Sequence, residues 1–383
     1  MSRRRFSLAL ALTLLLVPGV AAAAPLPAVP GFHVEPAITD LHHPTRLVFG
    51  PDGRLYIAQQ TGTVIAVTLK DGAEAGRQEV LKAKANLLGI ALKDDALYIS
   101  DTGRVAVYTR QPDGTYGNPR SVLADLPFGL HQNDALLFGP DDGWLYLGIG
   151  STTDAGPEKH PWSGTILRFD PAKPAETAAV YARGFRNPYG MTWDDSGQLW
   201  VTDNGRDTPA TSDELNLVLP GRDYGFPRYF ERPPAGSGTY GPVALFGDHN
   251  STDGIAWAGK SAFPAPYRDG FFVAMWGSSF DKTTGRRVAF VTREGAVADI
   301  VTGLENPLDV TIGPDGDLFV ADFPAGIVYR IWFEGEVTEP LPPPVPPPSV
   351  PGEPPVSSAL WWWLVAAAGA AVALLVWQRR RAR

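Results

Sequence analysis

Pro51-Asp52-Gly53-Arg54-Leu55-Tyr56-Ile57 is the stretch on which the fold turns, because five variants of it follow. They are Asp94-Asp95-Ala96-Leu97-Tyr98-Ile99, Asp141-Asp142-Gly143-Trp144-Leu145-Tyr146-Leu147 and Asp194-Asp195-Ser196-Gly197-Gln198-Leu199-Trp200-Val201, then Arg268-Asp269-Gly270-Phe271-Phe272-Val273 and Pro314-Asp315-Gly316-Asp317-Leu318-Phe319-Val320. Each is an acidic tight turn running into a β-branched and aromatic strand. A second strand follows each, at 63–67, 104–108, 165–169, 214–218, 287–291 and 327–331. The leading acids Asp52, Asp94, Asp141, Asp194, Asp269 and Asp315 lie 42, 47, 53, 75 and 46 residues apart. Short strands repeating every 40–50 residues predict an all-β propeller, and six copies predict six blades over residues 31–335. The acids themselves read as turn formers.

Composition narrows the chemistry. Gly and Pro make up 78 of 383 residues, which excludes a helical bundle. With no cysteine there is no disulfide, thiolate metal site, cysteine nucleophile or covalent haem motif. The formal charge is −8, but seven arginines sit in the acid-free ends, at 3, 4, 5, 379, 380, 381 and 383, so the body carries −15. Such a surface repels nucleic-acid phosphates.

The ends predict export and tethering. Residues 1–24 have the basic, apolar and small-residue parts of a signal peptide. Residues 336–357 form a Pro-rich linker, with ten prolines between Pro340 and Pro355, suited to polyproline II. Residues 358–378 predict one transmembrane helix with tryptophans near both ends, and 379–383 a basic cytoplasmic tail. The body then faces outward. A removable sorting tail has the same layout.

Candidate chemistry lies in the loops between blade strands. His131 and His249 each stand just before a strand, where propeller loops face the central channel. His131 is the candidate general base, since imidazole titrates near neutrality. Arg186-Asn187-Pro188-Tyr189-Gly190 is a sharp turn offering a guanidinium and an amide to a carbonyl or carboxylate. Asp203-Asn204-Gly205-Arg206-Asp207 and Ser212-Asp213-Glu214 carry oxygen donors suited to calcium, with a solvated acidic loop as the alternative.

Together these segments resemble the glucose/sorbosone dehydrogenase family of six-bladed pyrroloquinoline quinone (PQQ) enzymes, over residues 31–333. The most specific stretch runs from Tyr181 through Arg186-Asn187-Pro188-Tyr189-Gly190 and Leu199–Asp203 to Asp213-Glu214-Leu215-Asn216-Leu217-Val218 and Gly221-Arg222-Asp223-Tyr224-Gly225-Phe226-Pro227. The resemblance implies oxidation of an aldose or related sugar at C1. His131 would be the base and Arg186 would polarise the quinone, with Asn187 and Asn204 at the cofactor. Calcium would be held by the Gly205 and Arg206 carbonyls beside Asn204, with Asp213 and Glu214 at the acidic positions of that loop. Electrons would pass to an external respiratory acceptor. Three segments depart from the family pattern: Glu305-Asn306-Pro307 where arginine is common, Trp276-Gly277-Ser278-Ser279, and Asn133-Asp134-Ala135 after His131. Lys84, Lys282, Arg286 and Arg287 are the candidate compensating cations. Two other readings remain: a tethered propeller binding a glycan or protein, and a calcium-dependent, lactonase-like hydrolase needing carboxylates that converge on the channel.

Overall fold

A computed structural model describes residues 26–208, 211–337 and 341. The expected signal peptide, transmembrane helix and basic tail lie outside the described residues, as does most of the Pro-rich linker. Among the described residues no helix is long and apolar enough to cross a membrane.

Six four-stranded antiparallel sheets form the six predicted blades. The first shows the pattern: Pro44–Phe49 innermost, then Leu55–Gln59, Thr63–Lys70 and Ala73–Lys82 outward. The quoted turn joins the inner strand to the second. There Asp52 accepts hydrogen bonds from Arg54 and from the Tyr56 hydroxyl, while Leu55 and Ile57 alternate into the core. The 75-residue gap holds no further blade. Residues 219–243 are a long connection within the fourth blade, between Ser212–Val218 and Ala244–Asp248. The ring closes when Phe32–Ile38 pairs with Ile327–Phe333, placing Phe32 opposite Phe333 and Glu35 opposite Arg330.

Apolar side chains fill the seams between blades. Phe263, Phe272 and Phe290 of the fifth blade pack with Val310, Val320 and Ile331 of the sixth. Fully burying one such side chain contributes about 1.5–3 kcal/mol. Strand alternation sets two faces: the repeated acidic turns share one, and the connections into each inner strand share the other. Five of the six inner strands begin with a register shift, at Pro44/Arg46, Asn133/Leu136, Pro188/Gly190, Thr252/Ile255 and Pro307/Asp309. Such bulges re-aim side chains, and here they mark the top of the channel.

Candidate active site

The site is built on the turn 184–188. Gly184 adopts φ +86°, and an added Cβ would lie 2.5 Å from an Asp223 carboxylate oxygen. The Asp203 carboxylate then holds the next two residues, accepting the Arg186 N–H at 3.0 Å and the Asn187 N–H at 2.6 Å. This aims the Arg186 side chain inward, where it is 2% exposed. Its guanidinium pairs with Asp154 at 2.7 Å and Asp207 at 2.8 Å, and also donates to the Asn204 carbonyl. Asn187 Nδ2 donates to Asn204 Oδ1 at 2.7 Å.

His131 enters from the neighbouring blade, its N–H bonded to the Ser151 carbonyl. Gly150 makes the approach possible: a Cβ there would sit 2.4 Å from His131 Cβ and 3.1 Å from Asn187 Oδ1. Burial, reinforced by the Arg186 charge, lowers the His131 pKa to about 4, so the imidazole is neutral at pH 7. A cavity of about 280 Å³ is lined by His131, Arg186, Asn187, Asn204, Trp276 and Phe323, among others. Three buried polar atoms of lining residues have no hydrogen-bond partner among the described residues: His131 Nε2, Asn187 Oδ1 and His249 Nδ1.

His249 received no role from sequence reasoning. It lines the same cavity, 5% exposed, with Nε2 3.4 Å from Asp207 and Nδ1 3.6 Å from Asp213. Asp207 thus links it to Arg186. Its position before an inner strand, the same as that of His131, was the available signal.

The expected calcium loop is arranged differently from a carboxylate cage. Asp213 accepts the Gly205 N–H at 2.8 Å and the Thr252 N–H at 3.0 Å. Glu214 accepts the Glu231 N–H at 2.8 Å and the Asn216 amide. Burial raises the Asp203 and Glu214 pKa values, and each is raised further by neighbouring carboxylates. Both acidic positions therefore brace the backbone. Among the described residues no group of three or more His, Asp or Glu is placed to hold a metal. The oxygens left for calcium are the Asn204 side chain and the Gly205 and Arg206 carbonyls, of which the Arg206 carbonyl also accepts the Thr208 N–H. Hard cations take six to eight oxygens, so this loop fits calcium only alongside a ligand that brings more.

The candidate compensating cations divide. Arg287 is paired with Asp299 at 2.8 Å, and Lys84 and Lys282 are exposed. Arg286 donates to the Glu305 carbonyl, and its buried Nε is unpartnered among the described residues. Asn306 donates to the Trp276 carbonyl.

Carboxylates do converge on the channel below, around a cation. Arg46 is buried and paired with Asp309 at 3.1 Å, reaches the Tyr189 carbonyl at 3.2 Å, and has the Asp134 and Asp253 carboxyl groups as neighbours. Burial raises the Asp134 pKa to about 8, against the opposing pull of Arg46. Sequence reasoning missed this cluster. Aligning the first residues of the inner strands would have exposed it, since Arg46, Asp134, Asp253 and Asp309 all lie within their first three positions.

This geometry defines a class: a six-bladed propeller with a histidine, an arginine and an asparagine meeting over a plugged channel. Residues 41–330 match the glucose/sorbosone dehydrogenase family model, and the chain belongs to that family. Quinoprotein glucose dehydrogenase B of Acinetobacter calcoaceticus is 25% identical over 255 residues, covering 51% of this chain and 52% of that protein. The match thus spans about half that relative's length. Among solved structures, the holo PQQ domain of pyranose dehydrogenase from Coprinopsis cinerea has a TM-score of 0.70 at 16% identity, covering 81% of this chain and 98% of that one. The PQQ-bound aldose sugar dehydrogenase of Streptomyces coelicolor has a TM-score of 0.64 at 24% identity, covering 80% and 100%. These structures share the fold.

Proposed function

We propose that the chain is a PQQ- and calcium-dependent sugar dehydrogenase that oxidises an aldose or related sugar at C1. The observation carrying this reading is that three residues lining one aromatic cavity beside Arg186, namely His131, Asn187 and His249, each carry a buried polar atom with no hydrogen-bond partner among the described residues. Buried polar atoms need partners, and a flat ligand rich in carbonyls and carboxylates would supply them.

PQQ, when bound, supplies the carbon that accepts hydride from the sugar C1. Arg186, Asn187 and Asn204 would hold its quinone side, and Arg286, whose buried Nε has no partner among the described residues, is a candidate for a further carboxylate. Asn204 and the Gly205 and Arg206 carbonyls would hold calcium, which would supply Lewis-acid chemistry there. His131 is neutral and can take the proton of the C1 hydroxyl at Nε2. Arg186 is held in place by Asp154 and Asp207, so it stabilises developing negative charge without first reorganising. The hydrolase reading is weakened by Arg46, whose charge occupies the place a channel metal would need. From sequence alone, we further propose that the domain is exported and tethered by residues 358–378.

The test is a calorimetric titration of PQQ into the purified chain, with and without calcium. Saturable binding that chelator abolishes and Arg186→Ala weakens upholds the reading, and an aldose screen follows. No binding at high micromolar PQQ sinks it, leaving a tethered binding propeller.

A further inference from the structure

The channel has a second end. Below the Arg46 cluster a cavity of about 240 Å³ lies among the far ends of the inner strands. Five of those strands have six residues, and the fifth residue of each lines this cavity: Val48, Leu137, Thr192, Ala256 and Thr311. Trp193 and Trp257, one position further on, add two indoles. Trp193 donates its N–H to the Phe138 carbonyl at 2.9 Å, so what it has left to offer a ligand is carbon. Two hydroxyls stand among these apolar walls. Thr192 Oγ1 accepts the Trp257 N–H at 3.4 Å, which leaves its own O–H to donate, and the Thr311 hydroxyl has no partner among the described residues. Arg46 and Asp309 line the cavity where the buried cluster closes it. A guanidinium has five N–H donors, and Arg46 uses three of them, on Leu88, Asp309 and Tyr189. Lys260 is a further lining residue, exposed and without an ion pair among the described residues.

We propose that this lower cavity is a second sugar site, which takes the neutral terminal pyranose of a glycan and does no chemistry on it. Charge excludes the ionic alternatives. Asp52, Asp141, Asp194 and Asp315 follow four of the inner strands within three residues, so acids lie beside the mouth. Asp141 and Asp315 have no ion pair among the described residues, and they repel an anion. Lys260 repels a cation, while the Arg46 charge is balanced by Asp309. A neutral solute meets neither penalty. Apolar walls with isolated donors then suit a ring that has C–H faces and a hydroxyl edge. Its C–H groups pack against the indoles and Met191, and its hydroxyls reach Thr192, Thr311 and the remaining Arg46 donors. A wholly apolar guest would cover those donors without pairing them. Because the Arg46 cluster closes the cavity above, no chain threads through, and only the end of a glycan enters. The site lies at the other end of the channel from His131 and stands whether or not the chain binds PQQ.

The test is saturation-transfer NMR on the full chain with methyl β-glucopyranoside, whose blocked C1 cannot be oxidised. Saturable transfer is expected, weakened about tenfold by Thr192→Val/Thr311→Val, which removes two hydroxyls and keeps the volume. Thr311→Phe, which fills the cavity from a half-buried position, should abolish the signal, and it decides the matter where the double variant does not fold. His131→Ala should leave the signal unchanged. No saturation at high millimolar glucoside overturns the inference, as does equal binding by wild type and both threonine variants. Loss of the signal in His131→Ala would place the glucoside in the upper cavity and also overturn it. Gluconate or benzyl alcohol displacing the glucoside at equal or lower concentration would make the guest an anion or an apolar ring, and the sugar assignment would fall.

Discussion

Two buried polar clusters sit one above the other on the propeller axis, and they differ in how they are satisfied. In the lower one Arg46 is enclosed by the Asp309 carboxylate and the Leu88 and Tyr189 carbonyls. Its one unpartnered oxygen, Asp134 Oδ2, belongs to a carboxyl that burial keeps protonated at neutral pH. In the upper one Arg186 is equally enclosed, yet both histidines and Asn187, which line a cavity, carry buried atoms without hydrogen-bond partners among the described residues. Buried charge alone therefore does not mark a site here. The lower cluster locks the inner strands together, and the upper one leaves buried polar atoms without partners among the described residues.

The comparison breaks most visibly if Arg46 is removed. Arg46→Met strands Asp309 in the channel and should cost about 3–5 kcal/mol of stability by denaturant unfolding. Arg46→Met/Asp309→Leu should recover most of that loss, and the double variant should still bind PQQ. If it folds but binds none, the lower cluster belongs to the site. Above it, His131→Ala should lower turnover about a thousandfold while leaving the unfolding midpoint nearly unchanged, because that imidazole nitrogen has no partner to lose. A stability loss of several kcal/mol would instead make His131 a structural residue.

The repeat was legible because each acidic turn and its strand are contiguous in sequence. Asp52-Gly53 and Leu55-Tyr56-Ile57 make their contacts within a few residues. Arg186, Asn187 and Asn204 were legible for a similar reason: they flank one hairpin and match a family pattern. Asp213 and Glu214 brace backbone N–H groups, and a carboxylate doing so has the same local sequence as one awaiting a metal. The Arg46–Asp309 pair joins residues 263 apart, across a ring that closes only when the last blade receives the first strand. His249 and His131, 118 residues apart, meet for the same reason. No single contiguous stretch encodes such meetings; only the shared position at the head of the inner strands does.

A sharper comparison comes from two glycines on opposite faces. Gly150→Ala would push a methyl into His131 and Asn187, and should lower turnover about ten- to a hundredfold through displacement of His131. Gly53→Ala, in the first acidic turn, meets nothing within 4 Å but sits at φ +74°. It should cost about 1 kcal/mol of stability and leave turnover alone. If Gly150→Ala turned over normally, the close approach of His131 to Asn187 would not matter to the reaction.

The smallest effect is also the most diagnostic, because the two clusters respond to pH with opposite signs. His131 has a folded pKa near 4, below its unfolded value of 6.5. Between those values the unfolded chain binds the extra proton, so this histidine's contribution to stability falls as pH falls. Asp134 has a folded pKa near 8, above its unfolded value of 3.8. Between those values the folded chain holds the extra proton, so its contribution falls as pH rises. Each amounts to about 1 kcal/mol per pH unit inside its window, and from pH 6.5 down to pH 4 they oppose one another. Relative to wild type, Asp134→Asn should lose stability on acidification, since the variant lacks the proton that the folded chain holds on Asp134. His131→Ala should gain. Parallel curves for all three proteins would mean that neither group titrates as its surroundings imply, and the contrast between the plugged channel and the open cavity would lose its electrostatic basis.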